Sequence, residues 1–205
     1  MRSLTTRNLL DKKPGETVRL SDELAACIGE AERKGCWLIY GYEKNGKTTF
    51  ALMLSKTIAQ YERVAYISAE EGTDKSFKDA CLRAGITADD NILWDEYLSV
   101  DDLVKKFQRP RTPNIIVVDN LTIYADELKP TEVKKRIMDA LPQKLLIFLG
   151  HEERKSPYPA TARMASKYAK VIFHVVGLKA IVTSRFGNGG ELVIDEENSE
   201  LFYGQ

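Results

Sequence analysis

The pattern Gly-x-x-x-x-Gly-Lys-Thr spans residues 41–48 and directly follows the apolar run CWLIY. In a loop with this spacing, successive backbone N–H groups surround a phosphate, and the lysine reaches the β- and γ-phosphates of a nucleotide. The helix that follows points its positive end at the same anion, and the Thr48 hydroxyl can hold Mg²⁺. The pattern requires a strand before it and a helix after it, so it predicts an α/β fold that binds a nucleotide. The predicted cofactor-binding residues are Gly41, Tyr42, Glu43, Lys44, Asn45, Gly46, Lys47, Thr48 and Thr49.

Strand-like and helix-like segments alternate along most of the chain. Apolar runs predict strands at 36–40, 63–68, 114–119 and 144–150, and helical periodicity predicts helices at 21–35, 47–61, 73–85, 99–107 and 131–141. This alternation is typical of a mostly parallel sheet flanked by helices. Four closely spaced segments at 169–177, 179–187, 191–197 and 200–204 predict a C-terminal antiparallel meander. We expect one domain over residues 1–205, with an irregular N-terminal segment at 1–20.

The charge and cysteine content exclude several classes of protein. Among 205 residues, 30 are basic and 30 are acidic, so any nucleic-acid contact must come from a local patch. No apolar stretch is long enough for a membrane span, and the N-terminus lacks the apolar core of a secretory signal. Cys27, Cys36 and Cys81 are odd in number and have no Cys-x-x-Cys spacing, which argues against a disulfide framework and a zinc site. We expect a reduced, cytoplasmic protein with no membrane partner.

Acidic residues follow two of the predicted strands. Asp119 ends the run NIIVVD, where a phosphate-loop protein needs a second magnesium partner, and we expect it to act through water. Asn120 follows it, which disfavours hydrolases that place their base directly after the metal aspartate. Glu70 and Glu71 end another strand, and the carboxyl ends of strands form the ligand crevice of an open α/β sheet. Glu70 could therefore orient the water that attacks the γ-phosphate.

Taken with the phosphate loop, the segments YISAEEG, IIVVDN, IFLGH and TSRFG occur in the order seen in RecA-like ATPases. The chain most resembles the bacterial RadA-type recombination ATPases and the DnaB-type replicative helicases, over roughly residues 35–203. The resemblance implies Mg²⁺-dependent ATP hydrolysis on DNA, in recombination, repair or replication, by a ring or filament of identical subunits.

The resemblance also assigns roles to individual residues. Lys47 would act on the phosphates, Glu70 matches the catalytic glutamate, and His151 would sense the γ-phosphate. Arg185 matches an arginine that completes the neighbouring subunit's site, although Thr183 stands where the family often has lysine. The cysteine-rich and protease-like modules of the RadA type and the helical N-terminal domain of the helicase type are not found in this sequence, which is nearly a bare ATPase core.

The segment 152–170 follows His151 and is the best candidate for contact with DNA, preferably single-stranded. Basic side chains can neutralise phosphates and Tyr158 can stack on a base, whereas Glu152 and Glu153 offset two of the charges. Its length and Ser-Pro and Tyr-Pro pairs predict a flexible loop. The candidate residues are Arg154, Lys155, Tyr158, Arg163 and Lys167, with Lys170 beyond them.

Two other functions remain open from the sequence. A small-molecule kinase would place its acceptor near Glu70 and use residues 151–168 as a lid, with Arg154 and Arg163. A nucleotide-dependent assembly module would bind ATP with little turnover. Phosphate transfer to an acceptor would favour the first of these, and hydrolysis unaffected by Glu70→Gln would favour the second.

Overall fold

The structure, a computed structural model, describes residues 3–195. Within that range the helices are α1 (Thr6–Leu10), α2 (Asp22–Ile28), α3 (Lys47–Ala59), α4 (Lys75–Arg83), α5 (Val100–Phe107) and α6 (Ala160–Tyr168). The strands are β1 (Gly35–Gly41), β2 (Val64–Ser68), β3 (Ile92–Asp95), β4 (Ile115–Asp119), β5 (Leu145–Glu153), β6 (Ser156–Tyr158), β7 (Val171–Val176), β8 (Lys179–Ser184) and β9 (Gly190–Val193). No helix among the described residues is long and apolar enough to cross a membrane.

All nine of these strands form one sheet, in the order β3-β2-β4-β5-β1-β7-β8-β9, with β6 paired to β5. The strands from β3 to β7 in this order are parallel to their neighbours, and every residue of β2 and β4 is buried. Continuous apolar runs of this kind suit a sheet that is covered on both faces. The predicted α/β fold with a mostly parallel sheet is therefore confirmed.

Helices cover the two faces of the sheet with separate hydrophobic cores. One core includes Ile28 of α2, Phe50 of α3 and Phe77 of α4. The other includes Phe107 of α5 and Ala162 of α6, together with a π-helical segment, Val133–Met138, that lies within the predicted helix 131–141. Because successive residues of β1 alternate between these cores, the strand leading into the phosphate loop is held on both sides.

The C-terminal strands are antiparallel, as predicted. β7 pairs with β8 and β8 pairs with β9, and the three extend the sheet beyond β1. The predicted strand at 200–204 lies outside the described residues, as do the last two residues of the segment 191–197.

Three local predictions are wrong. The helix predicted at 21–35 ends after Ile28, because Gly29 has a φ of 78° and a Cβ there would lie 2.1 Å from the carbonyl oxygen of Phe186. The N-terminal segment contains the short helix α1, whose residues are all exposed. The sequence pattern does not predict β3, which pairs with β2 at the edge of the sheet.

The segment predicted as a flexible loop at 152–170 is also different. β5 continues through Glu153 and forms an antiparallel hairpin with β6, and α6 follows and packs against β1 and β5. Arg154 and Lys155 form the two-residue turn with φ values of 50° and 61°, the positive values that a tight hairpin turn of this type requires. Tertiary pairing of β6 with β5, which local sequence does not reveal, orders this segment.

Candidate nucleoside triphosphate site

The carboxyl ends of four parallel strands meet at one edge of the sheet. Gly41 at the end of β1 pairs with His151 of β5, and Ser68 at the end of β2 pairs with Asp119 of β4. The backbone N–H groups of Ala69 and Glu70 both donate to the carbonyl oxygen of Asp119, at 2.7 and 3.2 Å. The topology therefore brings the phosphate loop together with the acidic strand ends that the sequence singled out.

Two glycines of the phosphate loop have steric reasons to be glycine. A Cβ at Gly41 would lie 2.1 Å from the carbonyl oxygen of Val175, because β1 and β7 approach closely there. Gly46 has a φ of 92°, and a Cβ there would lie 2.8 Å from Leu178. The exposed residues between them, Tyr42, Glu43 and Lys44, follow the end of β1, and Lys44 has a φ of 62°.

Asn45 fixes the loop to the neighbouring β-turn. Its side-chain oxygen accepts a hydrogen bond from the N–H of Gly177 at 2.8 Å, and its Nδ2 donates to the carbonyl oxygen of Glu43 at 3.3 Å. Sequence reasoning leaves this position unexplained, because its partner is 132 residues away in the chain. Asn45 therefore holds the loop in shape by bonding both the loop itself and the turn between β7 and β8.

Lys47 is buried at the first turn of α3, with 8% of its surface exposed. Its ammonium donates to the carbonyl oxygen of Tyr42 at 2.8 Å, and burial is the main cause of a lowered pKa, opposed by the charges of Asp119 and Glu70. The first N–H groups of α3 have no intrahelical partner. A buried cation that bonds only a neutral carbonyl, beside free N–H groups at a helix start, fits a phosphate well.

Asp119 lies buried at the end of β4 and interacts with two hydroxyl groups. Tyr66 donates to its Oδ2 at 2.7 Å, and the Thr48 side chain also hydrogen-bonds it. Burial raises the pKa of this carboxyl to about 6, and both hydroxyl groups oppose the rise. A divalent cation near Thr48 and Asp119 would offset the cost of burying the negative charge, so these two predicted metal residues fit Mg²⁺ chemically.

Glu70 belongs to a polar cluster with Asn120 and His151. Asn120 Nδ2 donates to one oxygen of Glu70 and lies 3.2 Å from His151 Nε2. His151 Nε2 lies 3.7 Å from the other Glu70 oxygen, which is long for a hydrogen bond, and the imidazole is the main cause of a lowered pKa at Glu70. Glu70 is therefore ionised near neutral pH, with its carboxylate held between two polar neighbours.

Asn120 orients this cluster, a role that sequence reasoning missed. Its Oδ1 accepts a hydrogen bond from the N–H of Thr122 at 2.7 Å, so its Nδ2 faces Glu70 and His151. His151 Nε2 then accepts, which leaves the ring proton on Nδ1, a buried atom without a hydrogen-bond partner among the described residues. The sequence shows only that position 120 is not a glutamate.

A cleft of about 460 Å³ opens beside the loop, lined by Lys47, Thr48, Thr49 and Glu71. Ser76 and Arg83 of α4 line its far side. Sequence reasoning does not single out these two α4 residues. The cleft places Glu71 at the nucleotide site beside Glu70, although its exposed carboxylate belongs to no hydrogen bond or ion pair among the described residues.

Arg185 lies at the opposite edge of the sheet. β8 runs antiparallel to β7, so its end at Ser184 pairs with Val171, which in turn pairs with Trp37 near the start of β1. Four residues of strand separate that level from Gly41, or about 13 Å along the sheet. Arg185 is exposed and does not contribute to its own subunit's phosphate loop.

The predicted DNA-contacting residues divide between the β5–β6 hairpin and α6. The side chain of Arg154 is 92% exposed at the hairpin turn, and Tyr158 is 41% exposed and pairs with His151 across the hairpin. Arg163 and Lys167 are exposed four residues apart on α6 and therefore share a face of that helix.

Glu152 does not offset the hairpin charges, contrary to the sequence prediction. It is buried and lies 2.6 Å from His174, whose ring stacks on Tyr40 with centroids 4.5 Å apart. This pair fixes the base of the hairpin beside the phosphate loop, because Tyr40 immediately precedes Gly41. Among the described acidic residues, it is Glu153, with its carboxylate 3.8 Å from Arg154, that lies near the basic turn.

Among residues 3–195, no group of three or more histidine, cysteine or acidic side chains is arranged to hold a metal ion. No family model matches the chain. Over 117 residues, the chain is 29% identical to the DNA repair and recombination protein RadB of Archaeoglobus fulgidus, a match that covers 55% of this chain and 53% of that protein. The chain thus spans about half the length of this curated relative.

Two solved structures are similar over nearly the whole chain. The ATPase domain of a DnaB-like protein matches with a TM-score of 0.63 and 15% identity, covering 91% of this chain and 89% of that one. A KaiC-like protein of Pyrococcus horikoshii matches with a TM-score of 0.62 and 16% identity, covering 88% of this chain and 93% of that one. The chain therefore has the RecA-like P-loop ATPase fold, which confirms the resemblance seen in its sequence.

Proposed function

We propose that this protein is a Mg²⁺-dependent ATPase that acts on DNA as an oligomer of identical subunits, with residues 1–205 as one ATPase domain. The observation that carries the proposal is the convergence of Lys47, Asp119 and the Glu70–Asn120–His151 cluster at one edge of the sheet. A phosphate-binding cation, a metal-side carboxylate and an ionised base candidate are the groups that phosphoryl transfer to water requires. The name of the relative RadB, a DNA repair and recombination protein, supports DNA as the partner.

Each residue has a distinct role in the proposed reaction. Lys47 exchanges its bond with the Tyr42 carbonyl for the β- and γ-phosphates of ATP, whose charge the start of α3 also stabilises. Thr48 and Asp119 hold Mg²⁺, which supplies positive charge to the phosphates. Glu70 accepts a hydrogen bond from the attacking water, and its lowered pKa keeps it ionised for that role. Asn120 positions Glu70 and His151 relative to each other.

The hairpin connects this site to the proposed DNA contact. His151 contacts the Glu70 cluster, and three residues further along the chain the backbone turns at Arg154 and Lys155. A shift of His151 when the γ-phosphate is lost would be transmitted through β5 to the turn and to Tyr158. Arg154, Lys155, Arg163 and Lys167 would contact phosphates, and Tyr158 would stack on a base of single-stranded DNA.

Arg185 supports an oligomer. Its guanidinium lies at the edge of the sheet opposite its own phosphate loop, so in this reaction it can serve only a neighbouring subunit. A ring or filament in which each subunit supplies Arg185 to the next would place a positive charge at the γ-phosphate from outside.

The test is the release of inorganic phosphate from ATP with Mg²⁺, measured with and without single-stranded DNA and combined with sizing of the assembly. We expect hydrolysis that Lys47→Ala abolishes. We also expect partial recovery of activity when Lys47→Ala and Arg185→Ala subunits are mixed, because some interfaces then pair an intact phosphate loop with an intact arginine. A monomer in the presence of ATP and DNA would contradict the role of Arg185. Phosphate transfer to an acceptor without release to water would identify a kinase instead.

A further inference from the structure

A second cationic region lies at the amino-terminal edge of the sheet, away from the phosphate loop. Its residues immediately precede three of the parallel strands: Lys34 precedes β1, Arg63 precedes β2, and the loop 109–114 precedes β4. Two clefts, of about 410 and 370 Å³, lie there and share Arg33 and Asn114 in their walls. The nucleotide site occupies the opposite ends of these strands, so the ATPase reaction does not explain this region.

Arginines in the loop 109–114 are held on a rigid backbone. Thr112 donates to the carbonyl oxygens of Phe107 and Arg109, at 3.1 and 2.9 Å. The Lys144 ammonium bonds the carbonyl oxygens of Thr112 and Pro113 and the side-chain oxygens of Thr112 and Asn114, at 2.9 to 3.2 Å. Arg111 has a φ of 63°, a conformation that non-glycine residues rarely adopt, and such outliers cluster at binding sites.

Positive charge is in excess in this region. Among the described residues, Arg33 is the one cation of the region that pairs with carboxylates, those of Glu16 and Glu62. Lys144 bonds only neutral oxygens, and Lys34, Arg63 and Arg111 have no ion pair within residues 3–195. The five cations therefore exceed the two carboxylates by three charges. Asp90, next to the cleft residue Asn91, already accepts hydrogen bonds from the N–H and hydroxyl groups of Thr87.

Neutral hydrogen-bond donors lie among the charges. The Asn114 side-chain oxygen accepts from Lys144, which leaves its Nδ2 to donate into the cleft. Guanidinium and amide groups in this combination suit phosphate oxygens, because the planar guanidinium can donate two parallel hydrogen bonds. The described residues that line the two clefts include no aromatic side chain, so this region offers no surface for stacking on a base.

We propose that the two clefts at the amino-terminal edge form a second nucleic-acid site, which binds the sugar-phosphate backbone without reading sequence. Two contiguous clefts suit a chain of successive phosphates better than one isolated anion, and rigid, unpaired arginines bind them with little loss of side-chain entropy. The site is separate from the hairpin and does not depend on ATP hydrolysis. The protein would therefore hold nucleic acid at two opposite edges of its sheet.

The experiment measures binding of fluorescein-labelled oligothymidylate by fluorescence anisotropy at several salt concentrations. The double variant Arg63→Gln/Arg111→Gln removes two phosphate contacts, and we expect the slope of log K against log salt to become shallower by about 1.4 for a single strand. Arg111→Lys keeps the charge and should retain the wild-type slope. The control Lys105→Gln/Lys135→Gln removes two charges from exposed lysines of α5 and the π-helical segment, and should also leave the slope unchanged.

Two further arms separate the possible outcomes. Arg154→Gln/Lys155→Gln tests the hairpin independently, so a change in the Arg63/Arg111 variant alone would support this site even if the hairpin proposal failed. Inorganic tripolyphosphate is tested by calorimetry in the Lys47→Ala background. Loss of tripolyphosphate binding in the Arg63/Arg111 variant, with an unchanged DNA slope, would identify a site for free polyphosphate and overturn the proposal. An unchanged slope in a folded Arg63/Arg111 variant would overturn it as well.

Discussion

Asp119→Asn should stabilise the protein while removing a group that the proposed reaction needs. The carboxylate is buried at the end of β4, and its burial raises its pKa from 3.8 to about 6. An asparagine of nearly the same shape can accept the hydrogen bond from Tyr66 and donate one to the Thr48 oxygen. The substitution thus removes a buried negative charge and keeps its hydrogen bonds.

The magnitude and its pH dependence follow from the shifted pKa. Between pH 3.8 and about 6 the folded state binds the proton more tightly than the unfolded state, so stability falls as the pH rises through this window. Above it, the penalty reaches about 3 kcal/mol, at about 1.4 kcal/mol per pKa unit. Allowing for imperfect hydrogen bonds, we expect a gain of about 2–3 kcal/mol near pH 7, which raises Tm by roughly 4–12 °C for a chain of this size. At pH 5 the gain should be about half as large.

The assay is chemical and thermal unfolding of both proteins without nucleotide or metal, at pH 5 and pH 7. Asp126→Asn is the matched control, because Asp126 is exposed and its loss should change stability by less than about 0.5 kcal/mol. An Asp119→Asn protein that is less stable than the wild type at pH 7 would refute the buried-charge argument. So would a difference that does not shrink on acidification.

Three further predictions concern packing and the loop. Gly41→Ala should cost about 2–4 kcal/mol of unfolding free energy, because its Cβ would lie 2.1 Å from the Val175 oxygen, whereas Gly15→Ala, with its nearest neighbour at 3.7 Å, should be nearly neutral in the same denaturant titration. Asn45→Ala should cost about 1–2 kcal/mol and weaken the binding of a fluorescent ATP analogue; Asn45→Asp keeps the oxygen that accepts from Gly177, and an equal loss in both variants would contradict this reason. Cys36 is fully buried and burial raises the pKa of its thiol, so a thiol reagent should modify it only after unfolding, and fast labelling in the native state would show that the sheet opens there.

The parallel core of this fold can be predicted because its signals are local. Runs such as NIIVVD are apolar almost throughout, as strands buried on both faces require, and the phosphate loop specifies both the strand before it and the helix after it. The meeting of Gly41, Glu70, Asp119 and His151 follows once the strands are parallel, because all of these residues lie at strand carboxyl ends.

Other features depend on partners distant in the chain. β3 has only four residues, and its pairing with β2 is not written in its local pattern. Gly29 ends α2 because Phe186 approaches it from beyond the end of β8, and no signal near residue 29 announces that contact. The hairpin at 151–158 resembles a loop in the sequence, because its turn is made by Arg154 and Lys155 and not by the usual asparagine and glycine.

The polar network of the site is only partly predictable. Glu70 and Asp119 stand out by position, whereas Asn120 is informative in the sequence only for what it is not. Glu152 reads as a solvated charge, but strand alternation turns it to the face of the sheet where His174 pairs with it. Asn91, Arg111 and Asn114 form a cleft together only because three strand starts are adjacent in the sheet.

The most direct test of the proposed function compares the wild type with Glu70→Gln in ATP binding and in single-turnover hydrolysis. The amide keeps the size of the side chain but cannot accept a proton from the attacking water, so we expect ATP affinity within a few-fold of the wild type and hydrolysis reduced by about 10²-fold or more. The cluster should remain folded, because Asn120 can still donate to the remaining oxygen of residue 70. Hydrolysis at the wild-type rate in a Glu70→Gln protein that binds ATP normally would contradict the account.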